Sequence, residues 1–119
     1  MLMNNLYTEI FFESNDQEIN AKVLVEKNHP IFDGHFPEQP ILPGVCMMQL
    51  IKEIVEKAVS KKIILKESTS CKFLNMLDPT QNNSIDIAVN YSISDSNINV
   101  NAVLKSYEMV ILKMSSVYQ

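Results

Sequence analysis

Apolar and polar residues alternate along several stretches of the chain in the pattern that is typical of strands with one buried face. The clearest runs carry apolar residues at every second position from Ile19 to Val25 and again from Ile85 to Ile93. Because successive side chains of a strand point to opposite faces, this period of two predicts half-buried strands. Asp95-Ser96-Asn97 reads as a turn between two such runs. In chain order, strands are predicted at residues 6–12, 19–25, 63–76, 85–93, 98–102 and 109–118.

A different period extends from Gly44 to about Ser60, where apolar residues recur three and four positions apart. This spacing predicts one helix, with Gln49, Glu53 and Glu56 on its polar side. A helix that is apolar around more than half of its circumference suits an environment in which a curved sheet wraps around it. The predicted fold class is therefore α+β, with an antiparallel sheet curled around one long central helix. The apolar positions are Met47, Met48, Ile51, Ile54, Val55, Ala58 and Val59.

Length and charge limit the class of protein further. A chain of 119 residues that is 46% hydrophobic and 20% charged fits one compact domain, so we expect residues 1–119 to form a single domain. The net charge of −4 and the scattered basic residues argue against nucleic acid or an anionic membrane as the main partner. The N-terminus meets acidic residues too early for a signal peptide, and no apolar run approaches the ~20 residues that span a bilayer. A cytoplasmic location is expected.

The cysteines and the clustered lysines give no clear sign of a metal site or a catalytic site. Cys46 and Cys71 lack metal-ligand spacing, so two reduced, buried thiols are expected rather than a disulfide or a zinc site. No metal or cofactor is implied. Lys57, Lys61 and Lys62 stand at the predicted end of the helix, where cations complement the helix dipole. The alternative interpretation is that they form a docking point for an acidic carrier protein.

Candidate chemistry is concentrated in one segment, His29 to Gln49, which reads HPIFDGHFPEQPILPGVCMMQ. Four of the five prolines and both glycines lie there, close to His35. Proline fixes φ and glycine opens conformations closed to other residues, so this density predicts a rigid, irregular loop before the helix. A rigid loop can aim a side chain, and an imidazole such as that of His35 is a side chain suited to proton transfer near neutral pH.

The segments His29-Pro30, Gly34-His35-Phe36-Pro37, Pro40 and Pro43-Gly44-Val45 resemble the signature of the 3-hydroxyacyl-acyl-carrier-protein dehydratases, the FabA/FabZ-like group of the hotdog fold. The resemblance implies a single hotdog domain that forms dimers, either with itself or with a related hotdog chain. It also implies thioester substrates carried by acyl carrier protein or coenzyme A, in fatty-acid or related acyl and polyene biosynthesis.

The resemblance also assigns roles to residues. It implies that His35 is the base that removes the C2 proton and that the backbone N–H of Gly44 polarises the thioester carbonyl. By the same resemblance, the carbonyl of Ile41 would hold the imidazole in one tautomer. Three further residues are expected to contact the substrate or line its tunnel: Phe36, Pro43 and Met48. His29, beside Pro30, is expected to be structural or to contact the substrate loop.

The chain departs from this pattern at one position. The family places Glu or Asp fourteen residues after the histidine, where this chain has Gln49, and many members carry Gln where this chain has Glu53. An amide cannot act as a general acid, although it can hold a water or a hydroxyl by hydrogen bonds. Glu53 could reach the same pocket from one turn further along the helix, or it could belong to a polar helix face and pair with Lys57.

Three functions follow from this departure. The first is a dehydratase-like or hydratase-like enzyme, in which Gln49 or Glu53 handles the hydroxyl or water. The second is a catalytically impaired subunit that binds acyl carrier protein and supports an active partner in a heterodimer. The third is a hotdog thioesterase in which Gln49 positions the attacking water, although the loop signature fits dehydratases better.

Overall fold

The structure is a computed structural model, and it describes residues 5–33 and 41–119. Two strands come first, and a short 3₁₀ helix at Pro30–Phe32 follows them. One α-helix, α1, then precedes four more strands. The bounds are β1 Tyr7–Asn15, β2 Glu18–Val25, α1 Gly44–Val59, β3 Leu65–Phe73, β4 Ser84–Ser94, β5 Asn97–Ser106 and β6 Met109–Tyr118.

The six strands pair into one antiparallel sheet in the order β1-β2-β4-β5-β6-β3. Three neighbouring pairs are hairpins with two-residue turns, in which Asp16, Asp95 and Tyr107 adopt positive φ angles between 53° and 57°. Such left-handed residues are typical of tight hairpin turns. Because β2 pairs with β4 and β3 pairs with β6, β3 forms the edge opposite β1.

The core lies between α1 and one face of the sheet. Alternate residues of β2, β4 and β5 are buried there, as the period of two predicted, and α1 begins and ends where its pattern indicated. The alternation in β4 fades after Val89, since Tyr91 is half-buried and Ile93 is exposed. The helix contributes six buried residues: Cys46, Met47, Leu50, Ile51, Ile54 and Val55.

Three strands differ in extent from their predictions. β1 covers Tyr7–Asn15 rather than residues 6–12, and β5 covers Asn97–Ser106 rather than residues 98–102. The third strand differs most. The expected segment, residues 63–76, is longer than the observed β3, which covers Leu65–Phe73 and is exposed at almost every position. Two register shifts interrupt its pairing with β6, between Leu65 and Glu67 and between Ser68 and Ser70. A strand at the edge of a sheet has one neighbour, and bulges of this kind are common there.

The two cysteines are free, as expected, but they differ in burial. Cys46 is buried in α1 and Cys71 on β3 is half-buried, so the prediction of two buried thiols is wrong for Cys71. Burial raises the pKa of both thiols, which favours the neutral form. In the described ranges, no helix is long and apolar enough to cross a membrane.

Candidate functional site

The first turn of α1 has no side-chain cap. Pro43 is the N-cap residue, and its carbonyl accepts hydrogen bonds from the amides of Cys46 at 3.0 Å and Met47 at 3.3 Å. Within the described part of the chain, the amides of Gly44 and Val45 donate to no residue. Unpaired amides at the start of a 16-residue helix, together with the helix dipole, attract a carbonyl oxygen or an anion.

An aromatic ring from β3 lies against this helix start. A methyl group built on Gly44 would come within 2.7 Å of both Cε1 and Cζ of Phe73, which is closer than side chains approach one another. The segments are joined nearby, because the amide of Leu42 donates to the carbonyl of Leu77 at 2.9 Å. Position 44 therefore accepts glycine alone unless the ring moves. The sequence analysis missed Phe73, and no periodicity signals a contact between residues 29 positions apart.

Gln49 and Glu53 contact each other on the half-buried side of α1. Nε2 of Gln49 donates to Oε2 of Glu53 at 3.2 Å, as the four-residue spacing allows. An ionised carboxylate only accepts hydrogen bonds, so the amide nitrogen must face Glu53. This hydrogen bond leaves the carbonyl oxygen of Gln49 and the second N–H of its Nε2, so Gln49 can offer both an acceptor and a donor to a substrate or a water.

Tyr7 lies beside these residues. Its hydroxyl donates to the carbonyl of Cys46 at 3.0 Å, and its side chain is buried. Burial raises the pKa of Tyr7 far above its usual range, and the Glu53 carboxylate and the thiolate that Cys46 forms at high pH act in the same direction. Tyr7 therefore stays neutral and holds β1 against the first turns of α1.

Glu53 also lines an open groove of about 680 Å³ beside the second half of α1. Lys57 lies in this groove, and its Nζ contacts both carboxylate oxygens of Glu9, at 2.6 and 2.7 Å. The same Nζ lies 4.4 Å from the centre of the Phe12 ring. Lys57 therefore ties the helix to β1. The other residues around the groove are Tyr7, Glu56, Ser60, Lys61 and Lys62.

The remaining predicted residues are distributed as follows. His35 and Phe36 lie outside the described residues, and so does the predicted contact of His35 with the carbonyl of Ile41. Ile41, Pro43 and Met48 are half-buried, and Met48 packs against the core.

His29 has a structural contact. Its Nδ1 accepts a hydrogen bond from the amide of Ile31 at 3.0 Å, which caps the short 3₁₀ helix at Pro30–Phe32. This contact agrees with a structural interpretation of His29. Among the described residues, no three His, Cys, Asp or Glu side chains are grouped closely enough to hold a metal ion.

One long helix between the second and third strands of a six-stranded antiparallel sheet defines a hotdog protein, and the loop and helix start relate it to the FabA/FabZ-like dehydratases. The chain belongs to the ApeI-like family, described as ApeI dehydratase, whose sequence pattern matches residues 12–106.

Individual relatives agree with this assignment. The chain is 40% identical over 48 residues to 3-hydroxyacyl-[acyl-carrier-protein] dehydratases FabZ of Streptococcus equi subsp. zooepidemicus and Streptococcus mutans. This match covers 40% of the chain and 34% of each relative, so the chain matches about a third of the length of those enzymes.

Solved structures show the same fold. The dehydratase heterocomplex ApeI:P from Xenorhabdus doucetiae superposes with a TM-score of 0.77 at 20% identity, over 94% of this chain and 96% of that chain. A mutant thioesterase from Pseudomonas aeruginosa superposes with a TM-score of 0.56 at 12% identity, over 90% and 77% of the two chains. The hotdog fold alone therefore does not distinguish a dehydratase from a thioesterase.

Proposed function

We propose that this protein is a hydro-lyase that interconverts 3-hydroxyacyl and 2-enoyl thioesters carried by acyl carrier protein or coenzyme A. The observation that carries the proposal is the start of α1, where no side-chain cap is seen and the amide of Gly44 donates to no residue of the described ranges. A hydrogen bond to that carbonyl stabilises the negative charge that develops when the C2 proton leaves. The dehydratases named above supply the substrate class.

His35 is the proposed base. In the dehydration direction, it takes the proton from C2, the C3–O bond breaks, and the hydroxyl must gain a proton to leave as water. The amide of Gln49 does not titrate and cannot supply that proton, but its carbonyl oxygen can accept a hydrogen bond from the hydroxyl and hold it in place. The protonated His35 then returns the proton to the departing hydroxyl, so that one residue acts as base and acid in turn.

A second function is favoured by the amide at position 49, where Gln49 donates a hydrogen bond to Glu53. If a general acid is essential, the amide at position 49 makes this chain a subunit that binds acyl thioesters without converting them. The similar ApeI:P structure from Xenorhabdus doucetiae is described as a dehydratase heterocomplex. In this alternative, the chain supports an active hotdog partner.

An exposed apolar patch supports association with a second hotdog subunit in either case. The patch consists of Val45, Phe73, Leu74 and Met76, and the exposed fractions of these residues are 73%, 53%, 47% and 76%. It surrounds the start of α1 and the end of the edge strand β3. A cluster of this kind beside unpaired strand edges is typical of a protein interface.

The deciding experiment measures hydration of a 2-enoyl thioester and dehydration of its 3-hydroxyacyl counterpart by ultraviolet absorbance. The proteins are wild type, His35→Ala and the double variant Gln49→Glu/Glu53→Gln, which puts an acid at position 49 without pairing it with a second carboxylate. We expect measurable wild-type turnover, its loss in His35→Ala, and a gain of about 10²-fold in the double variant, the lower end of what a general acid contributes.

Other outcomes are equally informative. Turnover that survives in His35→Ala would contradict the assignment of the base. A silent wild type, with a known dehydratase active in the same buffer, would refute the enzyme and leave the binding subunit. Release of free thiol from the thioester would indicate hydrolysis and hence a thioesterase.

A further inference from the structure

Phe73 has an unusual position for an aromatic residue. Its ring is 53% exposed, so it contributes little to the core, yet one edge of the ring lies against the first residue of α1. Aromatic side chains that serve packing alone usually bury most of their area. Its exposure agrees with the apolar patch described above, whereas its close contact with Gly44 places the ring beside the proposed carbonyl site.

The backbone holds the ring in place. Phe73 is the last residue of β3 and lies opposite Leu112 of β6, which is fully buried. The next residue, Leu74, donates its amide to the carbonyl of Ile111 at 3.0 Å. The Cα of Phe73 is thus fixed by the sheet, and rotation of the side chain is the main freedom left to the ring.

The same ring borders the proposed carbonyl site. A carbonyl oxygen that accepts from the amide of Gly44 lies about 2.9 Å from that nitrogen, and the nitrogen is about 1.46 Å from the Cα that the ring covers. The thioester group therefore lies beside the residue whose Cα the ring covers. A substituent on C2 would compete with the ring for this space.

We propose that Phe73 is a specificity-determining residue that restricts the enzyme to thioesters without a branch at C2. This inference rests on the proposed function, because it uses the amide of Gly44 as the carbonyl site. The ring accepts the flat, unbranched acyl group and excludes a 2-methyl group. A smaller side chain at position 73 opens this space.

The test compares two substrates, 3-hydroxybutyryl and 2-methyl-3-hydroxybutyryl coenzyme A, with wild type, Phe73→Leu and Phe73→Ala. The measured quantity is the ratio of kcat/KM for the unbranched and branched substrates. We expect this ratio to fall by about tenfold in Phe73→Ala, since one methyl group in a tight pocket changes selectivity by roughly 10- to 200-fold. Phe73→Leu gives a smaller fall and protects the conclusion if the alanine variant folds poorly.

Leu74→Ala is the matched control. Leu74 is the next residue, is 47% exposed and belongs to the same apolar patch, but the three atoms nearest to a methyl group built on Gly44 all belong to Phe73. Any effect on subunit association should therefore appear in both Phe73→Ala and Leu74→Ala. The change in the selectivity ratio should appear in the variants of Phe73 alone. An equal change of the ratio in Leu74→Ala would overturn the inference.

A second measurement tests the contact without using activity. Gly44→Ala should lower the melting temperature of the wild type, because the new methyl group meets the ring, and should lower it less in a Phe73→Ala background. Equal shifts in the two backgrounds would overturn the inference. An unchanged selectivity ratio in an active enzyme refutes the role of Phe73 alone, whereas the absence of all turnover refutes the proposed function and this inference with it.

Discussion

Removal of the Tyr7 hydroxyl should have opposite effects on stability at neutral and at alkaline pH. In the structure, the hydroxyl is buried and donates to the carbonyl of Cys46 at 3.0 Å. At pH 7, Tyr7→Phe loses this hydrogen bond, and we expect the free energy of unfolding to fall by about 1 kcal/mol.

At alkaline pH, the difference in unfolding free energy between Tyr7→Phe and the wild type changes sign. Burial raises the pKa of Tyr7 in the folded protein, while the unfolded chain ionises near the usual value of about 10. The folded state then keeps a proton that the unfolded state loses, so stability falls as the pH rises. The loss attributable to Tyr7 reaches about 1.4 kcal/mol at pH 11. Phenylalanine has no such loss, so Tyr7→Phe should equal the wild type between about pH 10 and 11 and exceed it at pH 11.

Urea unfolding between pH 7 and 11, followed by circular dichroism with the thiols kept reduced, measures both free energies. The raised pKa values of Cys71 and Tyr118 affect wild type and variant alike and cancel in the difference. Tyr107→Phe is the control, since this side chain is exposed at the β5–β6 turn and should follow the wild type throughout. A constant difference between Tyr7→Phe and wild type over the whole range would refute the argument.

Three further predictions test the core, the interface and the helix anchor. Ile54→Ala removes a fully buried side chain of α1 and should cost about 2–5 kcal/mol in urea unfolding; a cost below 1 kcal/mol would contradict the packing. Met76→Glu should shift the protein towards monomer in sedimentation at micromolar concentration, whereas the equally apolar exposed control Ile93→Glu should not; identical behaviour would argue against the patch as an interface. Lys57→Met breaks the contact with Glu9 and should cost less than about 1 kcal/mol, an effect that 1 M salt should largely remove; a larger or salt-insensitive cost would contradict this account.

The sequence predicted most of the elements because their patterns are local. Alternating buried residues from Ile19 to Val25 mark β2, and the three- and four-residue spacing after Gly44 marks α1. The extent of β3 was wrong because its ends depend on pairing with β6 at a distance in the chain. An edge strand has little burial, so the sequence carries no alternation that could mark its ends.

The candidate site was predicted unevenly for the same reason. Gly44 was expected to begin the helix and does so, and the spacing of Gln49 and Glu53 allowed the contact that the structure shows. The sequence analysis offered Glu53 as a partner of Lys57, whereas the structure pairs Lys57 with Glu9, which belongs to β1 and is distant in the chain. Phe73 could not be found in the sequence, since its position against Gly44 depends on how β3 docks beside the helix.

The strand order also has a consequence for how the site assembles. Two-residue turns join β4, β5 and β6, so these strands can pair early, whereas β3 must cover a much longer stretch of chain to reach β6. We expect pulse-labelled hydrogen exchange during refolding to protect β5 amides before β3 amides; the reverse order would contradict this view. Phe73 would then meet Gly44 only at the end of folding, and mild denaturation should separate Phe73 from Gly44 while the central strands stay paired.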